Sequence, residues 1–253
     1  MTLTHGILLF LAALVAGSIN SVAGGGSLIS FPALIFAGIP PVPANATSTV
    51  ALWPGSVASV GAYRKKLPRD GRLVAALSVA SLLGGFLGAF LLLHTPPLTF
   101  MKIIPWLFLF ATFLFVFGKR LTGSVIQGED GRHSWATVIA ATLAQLVIAT
   151  YGGVFGGGIG ILMLSVFSVV HVGDIHSMNG LKAMLASVIN AVAMITFILA
   201  KAVVWPAALV MIAGAAAGGY GVARIAQHVP PKLVRGFVVV VGITMAIYFM
   251  WRY

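Results

Sequence analysis

Apolar runs of about 20 residues recur along the chain, parted by short polar stretches. Eight long ones can be drawn, at about 5–22, 44–63, 73–94, 98–118, 135–152, 177–200, 203–223 and 233–251. An α-helix needs about 20 apolar residues to cross ~30 Å of hydrocarbon. The pattern therefore predicts an all-α integral membrane protein. Two further apolar pieces, about 28–37 and 158–170, are too short to span. Each follows a glycine triplet, Gly24-Gly25-Gly26 or Gly156-Gly157-Gly158. Glycine costs a helix interior roughly 1 kcal/mol relative to alanine, so the triplets predict two interrupted helices, each followed by a half-helix.

The chain also divides in two. The polar stretch Gly118–Ser134 is its one real linker, giving a first repeat over 1–118, a linker over 119–134 and a second repeat over 135–253. The glycine triplets correspond, as do Asn45 and Asn179, the GxxxG pairs Gly84/Gly88 and Gly214/Gly218, and the turns His94-Thr95-Pro96-Pro97 and His228-Val229-Pro230-Pro231. Matches in one order at a steady offset mark an internal repeat. Arg64, Lys65, Lys66, Arg69 and Arg72 gather around one short loop, which the positive-inside rule places in the cytoplasm. If each interrupted helix and its half-helix enter the membrane and return, each half crosses an odd number of times and the halves are inverted. Arg224, Lys232 and Arg235 then also fall inside. If the pair makes one net crossing, the halves are parallel and those three lie outside. The rule favours inversion.

Composition agrees with the membrane reading. Of 253 residues, 60% are apolar and 8% charged, with a mean hydropathy of +1.08; a soluble domain carries about 25% charged residues. The net charge of +11 sits in short loops, where it sets topology, so no nucleic-acid partner is expected. The partners expected are the lipid bilayer and a small anionic substrate. The GxxxG faces suit close packing within one subunit or across a homodimer. There is no cysteine, which excludes disulfides and thiolate metal sites. No Lys or Arg precedes the first apolar run, so that run is expected to remain as a helix and not to be cleaved as a secretory signal.

Why break a helix in hydrocarbon? Unpaired backbone groups there cost several kcal/mol each, so a break belongs where protein, water or a ligand satisfies them. A helix begun inside the membrane presents its first N–H groups and the positive end of its dipole, a seat for an anion. Gly24, Gly25, Gly26 and Ser27 would form one such seat, and Gly156, Gly157 and Gly158 its counterpart. Asn45, Thr47, Ser48, Asn179 and Lys182 would line the next helix starts. Asn45 and Asn179 fit helix caps as well as ligands. Lys182 fits either an anion contact or a side chain reaching for the interface. The four acids Asp70, Glu129, Asp130 and Asp174 all fall outside the spans, which argues for an anionic solute. The glycines of the GxxxG pairs read as packing positions, and Asn20, Ser56, Ser59, Gln145 and Asn190 as bonds between helices. His171, Asp174 and His176 form the one cluster that could relay a proton or hold a metal, but a loop role is the simpler reading, and no metal site is expected. No nucleotide, cofactor or hydrolase motif occurs, so neither an enzyme nor a cofactor is expected.

The stretch NSVAGGGSLISFPALIFAGIPPVPANATSTVAL, with the Tyr63-Arg64 segment end, resembles the TauE/SafE sulfite-exporter type of membrane permease. The resemblance continues through YGGVFGGGIGILML and the two-half layout, covering nearly the whole chain. It implies a multi-pass protein of the inner or plasma membrane that exports or takes up small sulfur-containing anions such as sulfite or organosulfonates. The second half departs by lacking a serine after its glycines and by having Asn179-Gly180-Leu181-Lys182 where the first has Asn45-Ala46-Thr47-Ser48. The rival readings are a metal-ion or other cation carrier, and a non-transporting subunit that docks a soluble partner.

Overall fold

A computed structural model describes residues 2–22, 25–63, 68, 70–121, 133–219 and 231–252. Among them it has ten helices and no strand: α1 (Leu3–Val22), α2 (Ser27–Phe36), α3 (Pro41–Tyr63), α4 (Gly71–His94), α5 (Pro97–Leu121), α6 (Trp135–Val154), α7 (Ile159–Val169), α8 (Ile175–Leu199), α9 (Trp205–Ala217) and α10 (Pro231–Arg252). Five of these, α1, α4, α5, α6 and α8, are long and apolar enough to cross a membrane. The other three expected spans differ. α3 is long but carries prolines, Asn45 and a run of hydroxyls, and α9 and α10 contribute shorter apolar stretches. The His94–Pro97 turn falls between α4 and α5 as expected, whereas its counterpart at 228–231 lies largely outside the described residues, as do most of the linker and its acids.

The helix starts follow from side-chain chemistry. Asp70 caps α4, its Oδ1 accepting from the N–H groups of Arg72 and Leu73 at 3.1 and 3.3 Å. Ser134 caps α6 and Asp174 caps α8, each through the N–H three residues on. Pro41 opens α3, where a missing N–H costs nothing. The expectation that Asn45 and Asn179 cap their helices is thereby corrected. Pro41 starts α3 four residues before Asn45, and Asp174 starts α8 five residues before Asn179. In both cases a residue earlier in the chain already supplies the start.

The first five helices match the last five in order, each starting 132 to 134 residues apart. Even the stops correspond. After α2 comes Gly38 with φ +82°, and after α7 comes His171 with φ +57°. The next N–H reaches back to close the helix in each case, Ile39 to the Leu34 carbonyl and Val172 to the Phe167 carbonyl, both at 3.0 Å.

Small residues decide how the helices meet. Gly84 and Gly88 of α4 lie against α6, where a Cβ on Gly84 would sit 2.6 Å from that of Ala149 and one on Gly88 would overlap the Thr150 carbonyl oxygen. Gly214 and Gly218 lie against α1 in the same way, on the carbonyls of Phe10 and Leu14. Each GxxxG helix thus packs on the interrupted helix of the other series, as close approach of backbones requires. Both interruptions are hairpins. A Cβ on Gly26 would lie 2.6 Å from the Ala16 carbonyl oxygen, so α2 turns straight back along α1. The end of α7 returns to the start of α6, where His133 Nε2 lies 3.1 Å from the Val170 carbonyl oxygen.

Gly88→Val should destabilise the fold strongly, since overpacking a tight contact costs about 1–3 kcal/mol or more. Gly236→Ala, with open space around it, should not. Thermal unfolding of both variants in detergent checks this, and equal melting temperatures would refute the close-packing role.

Candidate functional site

The two helix interruptions adjoin. Ser27, the first residue of α2, carries its hydroxyl 4.0 Å from where a Cβ on Gly156 would stand. Gly25 sits at φ +150°, while Gly156 and Gly158 both sit at φ +80°. These conformations suit glycine and would strain any other residue. The first N–H groups of α7 to bond along its own axis are those of Ile161 and Leu162, both to the Gly158 carbonyl. Those of Ile159 and Gly160 belong to the first turn, where a helix offers no acceptor of its own. Tyr151 fixes the second break by donating from its hydroxyl to the Gly157 carbonyl at 2.6 Å. Asn20 accepts from the Gly25 N–H at the longer distance of 3.5 Å.

Polar side chains from α3 and α8 reach toward these breaks in unequal ways. Asn45 is buried and donates from Nδ2 to the Val154 carbonyl at 2.9 Å, tying α3 to the last turn of α6. Ser30 donates to the Gly26 carbonyl, and its oxygen lies 2.6 Å from that of Ser48, which then donates to it. Thr47 points elsewhere. Its hydroxyl oxygen accepts from the Val204 N–H that opens α9. In the second series Lys182 lies along Gly160 and donates from Nζ to the Asn179 Oδ1 at 2.8 Å. Asn179 in turn donates to the Ile175 carbonyl. Among the described residues no carboxylate pairs with Lys182.

The space between the breaks is filled with aromatic rings. Phe31 of α2, one turn beyond Ser27, meets Phe155, the residue before Gly156, edge-on at 6.3 Å between centroids. Phe108 of α5 lies 5.3 Å from Phe155, and Phe249 of α10 lies 5.8 Å from Phe108. α5 covers both triplets. A Cβ on Gly25 would strike the Phe115 ring at 2.5 Å, and one on Gly158 would stand 3.1 Å from Leu114. The helices are thus broken at both triplets, and apolar rings close over the breaks. An open surface groove of about 560 Å3 lies along the start of α1 beside Val210 of α9, and another of about 340 Å3 flanks Tyr248 and Trp251; neither includes a triplet glycine. Gly24 lies outside the described residues.

The sequence profile of the family described as Sulfite exporter TauE/SafE matches residues 9–249. The chain belongs to the TauE/SafE family of membrane transporters. It is 31% identical over 241 residues to a "probable membrane transporter protein ORF9" of a Sinorhizobium species, covering 94% of this chain and 90% of that one. It is 26% identical over 239 residues to a "probable membrane transporter protein" of Haemophilus influenzae, covering 94% and 91% of the two chains. It is 27% identical over 241 residues to the "probable membrane transporter protein YfcA" of Escherichia coli, covering 94% and 87%. No solved structure matches the chain.

Within this TauE/SafE chain, sequence reasoning singled out the glycines, Ser27, Asn45 and Lys182 but missed Tyr151 and the phenylalanines. Tyr151 opens the second glycine-rich stretch, and a hydroxyl beside a predicted break was a usable signal. Phe31, Phe108 and Phe155 carry no signal of their own among 16 phenylalanines of an apolar chain. Asp174 caps α8, and among the described residues no three His, Asp or Glu side chains gather to hold a metal. Gln145 does bond between helices, donating to the Ser81 hydroxyl at 2.9 Å.

Asn45→Leu should lower stability by about 1–3 kcal/mol, because it leaves the Val154 carbonyl without its buried donor. A melting temperature equal to wild type, measured in detergent, would show that Asn45 does not brace the break.

Proposed function

We propose that this protein is a secondary transporter that exports a small sulfur-containing anion, sulfite or an organosulfonate, across the inner or plasma membrane. The observation that carries the reading is the adjacency of the two interrupted helices through Ser27 and Gly156. Paired broken helices in matching positions place first-turn N–H groups around one point, and such a point suits a solute held partway through the bilayer. An anion fits it best. The positive ends of two half-helix dipoles converge there, and Lys182 stands on the wall of α7 with no carboxylate partner among the described residues. The described acids Asp70 and Asp174 are engaged as helix caps.

The two halves, 1–118 and 135–253 about the linker 119–134, act as inverted repeats in this reading. The hairpin geometry supports it. With His133 beside Val170, the α6–α7 pair enters and leaves on one side, and each half then crosses three further times. Alternating access would rock one bundle on the other. In this reading the rings of Phe31, Phe108 and Phe155 cover the seat, and opening it would require Phe155 to turn aside at Gly156, whose φ of +80° suits glycine.

Because the chain has no cysteine, single cysteines report sidedness cleanly. Cysteines in place of Ser134 and His171 should label from one face of the membrane, and cysteines in place of Thr95 and Lys201 from the other. Labelling of Ser134→Cys and His171→Cys from opposite faces would overturn the inversion.

Sulfite flux from proteoliposomes tests the substrate. Gly25 is a poor place to probe, since any side chain there meets Phe115. Lys182→Gln and Ser27→Ala should each weaken apparent sulfite affinity, the lysine change by about 10-fold or more, as loss of a charge-assisted contact implies. Absence of sulfite and sulfonate flux from wild type would overturn the substrate class. Unchanged affinity in both variants would overturn the seat.

A further inference from the structure

His133 lies far from the glycine breaks, at the junction of three segments, and every polar atom of its side chain faces an acceptor. Its Nε2 lies 3.1 Å from the Val170 carbonyl oxygen at the end of α7. Its Nδ1 lies 3.1 Å from the Asp70 Oδ2 at the start of α4, and its own backbone N–H donates to that same oxygen at 3.0 Å. A carbonyl can only accept, so Nε2 must carry a proton. An ionised carboxylate can only accept, so Nδ1 must carry one as well. Neutral imidazole has a single N–H. The ring that satisfies both contacts is the doubly protonated cation, and it is largely buried with Asp70.

We propose that Asp70, His133 and the Val170 carbonyl form a proton-operated latch that pins the end of the α6–α7 hairpin to the start of α4, closed while His133 carries two protons and released when it loses one. Loss of either proton turns one hydrogen bond into two facing lone pairs, and histidine is the side chain whose charge changes between pH 5 and 8. The latch joins the two halves of the chain. α4 belongs to the first and α7 to the second, and α7 begins at the Gly156–Gly158 break. Its release would free the outer end of a half-helix whose inner end bounds the candidate seat. The latch stands on its own geometry. Its assignment to the cytoplasmic face, and so its response to cytoplasmic pH, rests on the orientation proposed above.

The neighbouring charges support this reading. From α4, Arg72 places its Nε 3.9 Å from Asp70 Oδ1 and stacks its guanidinium 5.0 Å from the Trp135 ring centre, so it backs the carboxylate and leaves Oδ2 to histidine. From the α7–α8 turn, His171 is exposed, and Asp174 holds the α8 start through Ser177. From α6, the residues facing the junction are Ser134 and Trp135, neither of which titrates. Arg69 and Arg132, next in the chain to Asp70 and His133, lie outside the described residues. The His133 backbone N–H, opposed by burial and aided by the His133 ring and the Leu73 and Arg72 N–H groups, lowers the Asp70 carboxyl to about 2. A carboxyl lowered in the fold contributes its stability above the ordinary aspartate value near 4 and loses it as pH falls toward about 2. The acid limit therefore lies well below the range in which histidine titrates, and the latch opens upward in pH.

Two measurements on the full chain in nanodiscs test the latch, and neither depends on substrate or orientation. Nitrogen NMR of protein labelled at histidine, with His133 assigned through His133→Gln, should show both ring nitrogens protonated at pH 6 and one deprotonated by pH 8.5. Hydrogen exchange over 166–173, compared between wild type and His133→Gln at the same pH, should show several-fold protection of wild type at pH 6, with the ratio approaching one at pH 8.5. A neutral His133 at pH 6, or a protection ratio equal at both pH values, would overturn the proposal. Should His133→Gln fail to fold, Asp70→Asn gives the comparison, and His133 is then assigned through sequential labelling of wild type.

Discussion

Inside hydrocarbon a backbone N–H or C=O must find a partner within the protein, and every unusual feature of this fold answers that demand. Breaking two helices at their glycine triplets creates polar groups that a continuous helix would not have. The structure meets the carbonyls with particular side chains. Tyr151 takes the Gly157 carbonyl and Asn45 takes that of Val154, while the Gly26 carbonyl is met by the N–H groups of Ile29 and Ser30. Among the described residues, the donors of the α7 first turn have no comparable set of side-chain acceptors. The proposed seat would have its acceptors occupied and its first-turn donors free to meet a solute rich in acceptors. An oxyanion is such a solute, and a hydrated cation is not.

The second constraint is close approach. A break is stable only if neighbouring helices come near enough to shield it, and small residues allow that. α4 lies on α6 through Gly84, Gly88 and Gly153, and α9 lies on α1 through Gly214 and Gly218. Each interrupted helix is thereby held against a helix of the other half, so the two halves interlock and do not merely abut. Motion of one half on the other must then proceed around these contacts.

How much of this was legible in the sequence depended on the range of the interaction. The breaks, the half-helices and the matching halves were readable because glycine, proline and apolar run length act locally and recur with a fixed offset. The GxxxG contacts were readable in kind, though not in partner. Asn45 was misread as a cap because the residues that start α3 are prolines only four positions earlier, while its true acceptor is a carbonyl 109 residues away. The Asp70–His133 pair is separated by 63 residues, and the His133–Val170 pair by 37. No spacing rule reaches across such distances. The aromatic rings over the breaks were hidden for a different reason. In a bilayer protein a phenylalanine facing lipid and one closing a site look alike in sequence, and only packing tells them apart.

The departures from symmetry carry information of their own. At the positions that follow the triplets, Ser27 of the first half stands where the second has Ile159, and Ser48 stands where the second has Lys182. The structure uses these differences. Ser48 is buried in a hydroxyl pair with Ser30, whereas Lys182 lies along Gly160 and donates to Asn179. In the proposed inverted arrangement these positions look toward opposite faces of the membrane, so the proposed seat would offer the Ser27 hydroxyl on one side and an ammonium on the other. An anion approaching from the two sides then meets unequal attraction. Such a difference cannot set the direction of net flux, which gradients and coupling decide. On the proposed alternating-access reading it would set the relative affinity of the two access states, because a duplicated site can distinguish inside from outside only at residues where its copies have diverged.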